Sequence, residues 1–313
     1  MTGAFMLKLA LCHPIFTLDN QFLFPSGTLL TEEALDTVVR SYWDHPSQTQ
    51  SLLLYGSVKE DYLNLLSSAP YAAIFSDKKQ VDELFSILEG IHLATPILDS
   101  LDYFKQQDFY TYAHVLMVFA LSTLLAKDLV PNYQERIRLS ATGPTHDIGK
   151  ICVPLHILKK TTPLTKAERS IIHHHATAGY VLLSYYLKDI RHLAGKVALD
   201  HHERKDASGY PRGILLGDSM VEITAVSDIY DALIIPRPYR SSPYDNRTAL
   251  EEITEMAKEN KIGWDVVKAL IAHNRKTKPH YGEIIISAER RGTPPSHSVY
   301  GMTAEGETAD PKN

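Results

Sequence analysis

His146-Asp147-Ile148-Gly149-Lys150 is the stretch that decides how this chain is read. A histidine followed at once by an aspartate offers a neutral nitrogen and a carboxylate that can bridge two cations, a ligand vocabulary suited to iron, manganese, nickel or zinc. Lys150, three residues after the aspartate, brings an ammonium over the same turn, where a phosphate held by such cations would sit. Alone, a His-Asp pair is most often a helix-end residue beside a solvated carboxylate, so the weight comes from its company. Nine of the fifteen histidines fall between His114 and His202, and imidazole is neither a good core residue nor a preferred surface one. A metal site is the obvious reason for the concentration.

Composition bounds the alternatives. With 313 residues, 44% hydrophobic and 22% charged, the chain is of the globular class and long enough for two domains. A net charge of -5 speaks against an extended nucleic acid partner, which would demand a basic surface. Cys12 and Cys152 have neither zinc spacing nor a disulfide framework; they read as buried small apolar residues in a reducing, cytoplasmic setting. The opening MTGAFMLKLALCHPIF lacks a basic n-region and soon meets Pro14, so no signal peptide is expected, and no stretch is read as a membrane span.

Taken in order, the chain changes character near residue 98. Before it, Met6–Leu11, Gln21–Phe24, Ser51–Tyr55 and Tyr71–Phe75 read as strands, between helices that start at Thr31 and near Lys78. That pattern predicts a small α/β domain over 1–97, regulatory or partner-binding, with no catalytic spacing. After it the pattern is almost wholly helical. A long helix over about 108–127 carries His114, and a segment over 134–147 delivers His146 and Asp147. Thr165-Lys166-Ala167-Glu168 is a capping box opening a helix with His173, His174 and His175. Those three project about 100° apart, so at most one or two can be ligands. Asp200-His201-His202-Glu203, a turn-rich loop through Gly209-Tyr210-Pro211, and a helix with Asp228 and Asp231 follow. Two more helices, near 247–260 and 264–273, close the domain. Residues 291–313, rich in Gly, Pro, Ser, Thr and Glu, read as a disordered tail. His114, His146-Asp147, one of the histidine triplet, His201-His202 and Asp228 thus come from five helical segments, as an interior di-metal site in a helical bundle requires.

These residues also resemble a known family. His146-Asp147-Ile148-Gly149-Lys150, Leu164-Thr165 with Glu168, His201-His202-Glu203 with Asp206, Gly209-Tyr210-Pro211, Asp228-Ile229-Tyr230-Asp231-Ala232-Leu233 and Arg237-Pro238-Tyr239-Arg240 look like the HD-GYP proteins of bacteria, in one unbroken order over roughly 105–275. The resemblance implies a mainly α protein, a helical-bundle HD-type domain over 98–290, that hydrolyses cyclic di-GMP. It selects His175, four residues before Gly179, from the triplet. One metal would take His114, His146, Asp147 and Asp228, the other Asp147, His175, His201 and His202, with Asp147 bridging. The implied cofactors are two divalent transition-metal ions, iron first and manganese second. They would activate a bridging water for in-line attack, giving pGpG. Lys150, Arg237 and Arg240 match positions that meet the substrate's phosphates, and Tyr210 belongs to the loop shaping the site wall. The implied protein partner is a diguanylate cyclase domain or an output protein, with no membrane insertion.

Three departures stand out. Tyr110 occupies the place of a glutamate that in some members serves a third metal, hence the expectation of two. Val115-Leu116-Met117-Val118 makes the first helix more apolar than usual, and Ala207 stands where the family prefers glycine, a strained choice if φ is positive there. They motivate a rival reading: a degenerate domain that binds metals and cyclic di-GMP as a sensor without turnover. A third reading, an HD phosphohydrolase acting on a dNTP or a guanosine alarmone, is disfavoured by the Gly-Tyr-Pro loop.

Overall fold

The structure is a computed structural model; it describes residues 9–43, 48–140, 145–237, 240, 242–287 and 289–295. Twelve helices dominate these residues, and the six short strands pair only in antiparallel twos, β1 (Leu9–Ala10) with β4 (Leu29–Leu30), β2 (Ile15–Phe16) with β3 (Phe22–Phe24), and β5 (Thr49–Ser51) with β6 (His92–Ala94). The protein is mainly α, as its sequence pattern predicts.

The centre is α5 (Phe109–Leu129), apolar on every side and buried from Thr111 to Ala126 except at Ala113. A helix that is hydrophobic all round belongs inside a core. Around it pack α4 (Thr95–Gln107), α6 (Tyr133–Ser140), α10 (Ser219–Ile234) and α12 (Trp264–Asn274). The expectation that no stretch reaches membrane-span length is corrected here, because α5 is long and apolar enough; most of it is buried inside the protein, which makes it a core helix. Val115, Leu116, Met117 and Val118 all lie in this core.

The region before α4 adds α1 (Glu32–Ser41), α2 (Val58–Ser67) and α3 (Lys78–Glu89) and feeds two apolar clusters. Leu11, Ile15, Leu30, Leu35 and Val39 pack against Tyr180, Val181 and Leu199 of the helical domain. Leu52, Tyr62, Tyr71, Ile74 and Leu84 join the main core with α4 and α5. The expected strand Tyr71–Phe75 is instead a 3-10 turn at Tyr71–Ala73. Tyr71, Ile74 and Phe75 are buried while Ala72 and Ala73 are exposed, a helical rather than alternating spacing. The expected strand Ser51–Tyr55 stops at Ser51, where Leu54 N donates to Ser51 O and turns the chain. Cys12, expected to be buried, is exposed, whereas Cys152 is half-buried.

In the second half, α7 (Leu155–Leu158) and α8 (Lys166–Leu187) follow the turn after Asp147, and α9 (Leu193–Asp200) lies along α8. The capping box forms: Thr165 Oγ1 accepts from Glu168 N at 3.2 Å, and Thr165 N donates to Glu168 Oε2 at 2.8 Å. Helix α11 (Asn246–Lys258) completes the set. Of the expected tail, Arg291 N and Gly292 N donate to Glu251 on α11, and 296–313 lie outside the described residues, as do Pro238 and Tyr239.

Candidate metal centre

Gly149 explains how Asp147 meets α8. The chain makes a 3-10 turn over Ile148–Cys152, and a Cβ at Gly149 would stand 1.9 Å from His175 O and 2.5 Å from Gly179 N. Only a glycine lets the turn press onto the helix backbone. That contact sets His175, one turn before Gly179, over Asp147.

Asp147 is then a carboxylate facing two ways. Its Oδ2 lies 3.5 Å from His114 Nε2 and 3.4 Å from His146 Nε2; its Oδ1 lies 3.2 Å from His175 Nε2 and 3.8 Å from His201 Nε2. Asp228 Oδ1 stands 3.0 Å from His114 Nε2, and His202 Nε2 is 3.2 Å from His175 Nε2. The side chains fall into two groups whose donor atoms lie within 4.8 Å of one another: Asp147, His175, His201 and His202, and His114, His146 and Asp228. The structure therefore brings together all seven residues that the sequence singles out as ligands.

The outer contacts turn the imidazoles inward. His175 Nδ1–H donates to Ile172 O, and His201 Nδ1–H to Ala198 O at 3.0 Å; His114 Nδ1–H donates to Asp231 Oδ2 at 2.6 Å. Each acceptor can only accept, so Nε2 keeps its lone pair for the centre. Lone pairs of His175 and His201 that meet at 3.4 Å repel unless a cation or proton lies among them, and buried Asp147 Oδ1 accepts no hydrogen bond. The donor set thus fits divalent transition metals, with nitrogen and carboxylate ligands and no thiolate.

Electrostatics agree. Burial, the largest influence, pushes His201 down to about 3, helped by His146 and His175, and it lowers His202 well below its ordinary range. Neutral imidazole is the form that binds metal. Burial opposes ionisation of Asp147, but Lys150 and His146 outweigh it and hold the carboxyl well below the usual carboxylate range. His114 is the exception: burial pulls it down, but Asp147, Asp228 and Asp231 outweigh that and raise it to about 10, so a cation at its Nε2 would have to displace a proton.

A cleft of about 360 Å3 opens onto this cluster, lined by Tyr110, Lys150, His173, Tyr210, Arg237 and Arg240 among others. Lys150 Nζ pairs with Asp147 Oδ2. Arg237 lays its guanidinium 4.6 Å over the Tyr110 ring, and that ring stacks on His114. Arg240 is almost fully buried, donating Nη2 to the carbonyls of Ala232 and of Leu233, at 2.9 Å, near the C-terminal end of α10. Tyr210 stacks on His202 at 4.4 Å and on His173 at 3.8 Å. His173, set aside by the sequence reading, is thus a wall of the cleft, while His174 meets His13 edge-on. Its signal, a ring one step from a ligand, was present but undirected.

The Gly-Tyr-Pro loop is held from beneath. Buried Glu203 accepts from Arg212 N at 2.7 Å and Ile214 N at 3.0 Å, and Arg212 pairs bidentately with Asp200. Gly209 sits where a Cβ would be 2.3 Å from His202 O. Ala207 adopts φ 62°, the left-handed conformation its position made a concern. The other residue that sequence reasoning missed is Asp231, noted but given no role. Its spacing from Asp228, one turn on the same helix face, could have found it.

A family model described as "HD domain" matches residues 97–266, more than half of the chain. The chain belongs to the HD-domain family. Its ordered motifs, including Gly209-Tyr210-Pro211, make it an HD-GYP protein. Among curated relatives it is similar to a cyclic di-GMP phosphodiesterase of Thermotoga maritima, 35% identical over 56% of this chain and 46% of that one. A cyclic di-GMP phosphodiesterase of Pseudomonas aeruginosa is 37% identical over 50% of this chain and 37% of its own. A 3′3′-cGAMP-specific phosphodiesterase of Vibrio cholerae is 35% identical over 55% and 38%. The HD-GYP chain therefore spans less than half the length of these relatives. A solved HDG"Y"P protein from Bdellovibrio bacteriovorus covers 85% of this chain and 97% of its own at 13% identity and a TM-score of 0.46, a likeness too loose to build on.

Proposed function

We propose that this chain is a metal-dependent phosphodiesterase that opens cyclic di-GMP to linear pGpG. The observation that carries the reading is the split carboxylate of Asp147, one oxygen toward His114 and His146 and the other toward His175 and His201. His114, His146 and Asp228 would hold one ion, His175, His201 and His202 the other. Two divalent transition metals, iron first and manganese second, would supply Lewis acidity and an activated water. The chain's part is to hold them apart across Asp147 and to meet the substrate's charge.

Lys150 reaches Asp147 from the cleft side, so its ammonium is placed to neutralise charge growing on a phosphoryl oxygen. Arg237, braced on Tyr110, extends that positive wall. Such preorganised cations act most strongly where water is excluded. Addition of water across one ring phosphodiester leaves a 5′-phosphate and a 3′-hydroxyl, hence pGpG. With Tyr110 in place of a carboxylate, no third ion is expected and the second cleavage should be slow. Arg240 is committed to the α10 carbonyls, so its part in phosphate binding is to shape the wall that Arg237 stands on.

The sensor reading draws on Ala207, whose φ of 62° strains the loop next to Tyr210. The apolar run Val115–Val118 lends it nothing, because those side chains fill the core away from the cleft. Purification without oxygen, metal quantification and chromatography of cyclic di-GMP incubated with the same sample test the proposal. About two metals per chain and a pGpG peak support it; two metals with intact dinucleotide favour the sensor. The names of the Vibrio cholerae relatives make 3′3′-cGAMP the second substrate for that assay.

A further inference from the structure

The family match starts at residue 97, yet a side chain from well before it reaches the metal cluster. Tyr71 is buried, and its hydroxyl donates to Asp231 Oδ1. The other oxygen of that carboxylate accepts from His114 Nδ1–H at 2.6 Å, and His114 Nε2 faces Asp228 at 3.0 Å and Asp147 at 3.5 Å. An unbroken line of contacts runs from the N-terminal region to a ligand atom. We infer that Tyr71 is a positioning residue of the metal centre: acting through Asp231, it fixes the plane and the donor strength of His114, so the region before the HD domain is a working part of the site. This rests on the metal-centre reading above.

Tyr71 is itself firmly seated. Its N–H donates to Ser68 O at 2.9 Å, its ring lies in the main core with Ile74 and Phe75, and Ile74 O accepts from Lys278 Nζ at 2.5 Å. Asp231 is fully buried, so a lost hydroxyl is not readily replaced by solvent. Without it, Oδ1 keeps no donor from this side, and the carboxylate is free to turn about its own axis. The imidazole it orients then loses its fixed aim. The hydroxyl also draws charge from the carboxylate, tempering its pull on the His114 proton and hence the basicity of Nε2. Since binding linkage is reciprocal, a shift of the 71–75 turn would alter metal affinity, and metal occupancy would in turn bias that turn.

The test uses the full chain, stripped of metal, and Mn2+ alone as probe, followed by competition with a fluorescent chelator and without any substrate. Tyr71→Phe should weaken one of two Mn2+ equivalents about tenfold and leave the other unchanged, the scale typical of losing a ligand's outer partner. Asp231→Asn should weaken the same equivalent, and adding Tyr71→Phe to it should weaken binding no further. Tyr62, equally buried in the same region and with a hydroxyl that has no hydrogen-bond partner, supplies the control: Tyr62→Phe should change neither equivalent. Unaltered binding in Tyr71→Phe overturns the inference and leaves the metal reading standing. So does equal weakening by Tyr62→Phe, which marks general loosening, or additive losses in the double variant, which rule out a path through Asp231. A wild-type chain that takes up no Mn2+ brings down the metal reading itself, and the inference with it.

Discussion

Asp147 is asked to serve both halves of the cluster, and its burial makes it hard to replace. The carboxylate is 1% exposed, with imidazoles on both oxygens and an ammonium beside it. Asp147→Ala should therefore lower metal content from about two ions per chain to near none and abolish turnover, read by elemental analysis of protein purified without oxygen. Retention of one tightly held ion would mean that the two groups bind independently and that the bridge is dispensable. Ala207 poses the opposite case, a residue whose replacement should help. At φ 62° its Cβ crowds the following carbonyl, a conformation costing roughly 1 kcal/mol in a non-glycine residue. Ala207→Gly should raise the urea midpoint by the equivalent of about 1 kcal/mol with an unchanged slope. A lower midpoint would show that the unfolded chain's added freedom outweighs the relieved strain.

At the scale of elements, the cluster depends on one close packing, the Ile148–Cys152 turn against α8. With His175 O only 1.9 Å from an added Cβ, Gly149→Ala must push the helix from the turn and carry His175 away from Asp147. The expected result is a loss of several kcal/mol in stability, in the class of overpacked interiors, together with loss of metal. Gly217→Ala, with no atom within 4 Å of its Cβ, should do neither, and thermal melts of the pair in chelator check the contrast. Much of this arrangement was legible. The capping box located α8, the apolar period located α5 and α10, and the ordered motifs picked out the seven side chains that cluster. What escaped reading depends on partners distant in the chain. Tyr71–Phe75 reads as a strand because Tyr71, Ile74 and Phe75 favour one, and only the core it meets shows the helical spacing. For Arg240, expected to meet phosphate, a sequence does not say which helix carbonyls its guanidinium will also reach. Asp231 had no role until His114 Nδ1 supplied one.

For the whole molecule, the same burial that prepares the imidazoles for metal makes the metal-free protein sensitive to acid. Burial is the largest cause that lowers His173 and His174 to about 4 and His201 to about 3, and it also lowers His175, His192 and His202. In the unfolded chain each would titrate at about 6.5. Between about pH 6.5 and 4 the unfolded state thus binds more protons than the folded one, and stability falls as pH falls. His114 has the opposite sign. Raised to about 10, its contribution is complete below 6.5 and is lost only as pH climbs toward 10, so it does not offset the decline. Asp147 and Asp228, held below the carboxylate range, also add nothing in that window. Asp200 and Glu203, raised by burial, work against the trend near the carboxylate range, but they are two groups against six. Thermal melts in chelator should therefore show a melting temperature that drops steadily from pH 7 to pH 5. The metal-loaded protein should start higher, because ligand binding stabilises the folded state by mass action. It should then fall more steeply, as protons displace the ions from their imidazoles. A flat profile in both states would mean that these histidines are not held neutral in the fold, and would remove the electrostatic support for the metal centre.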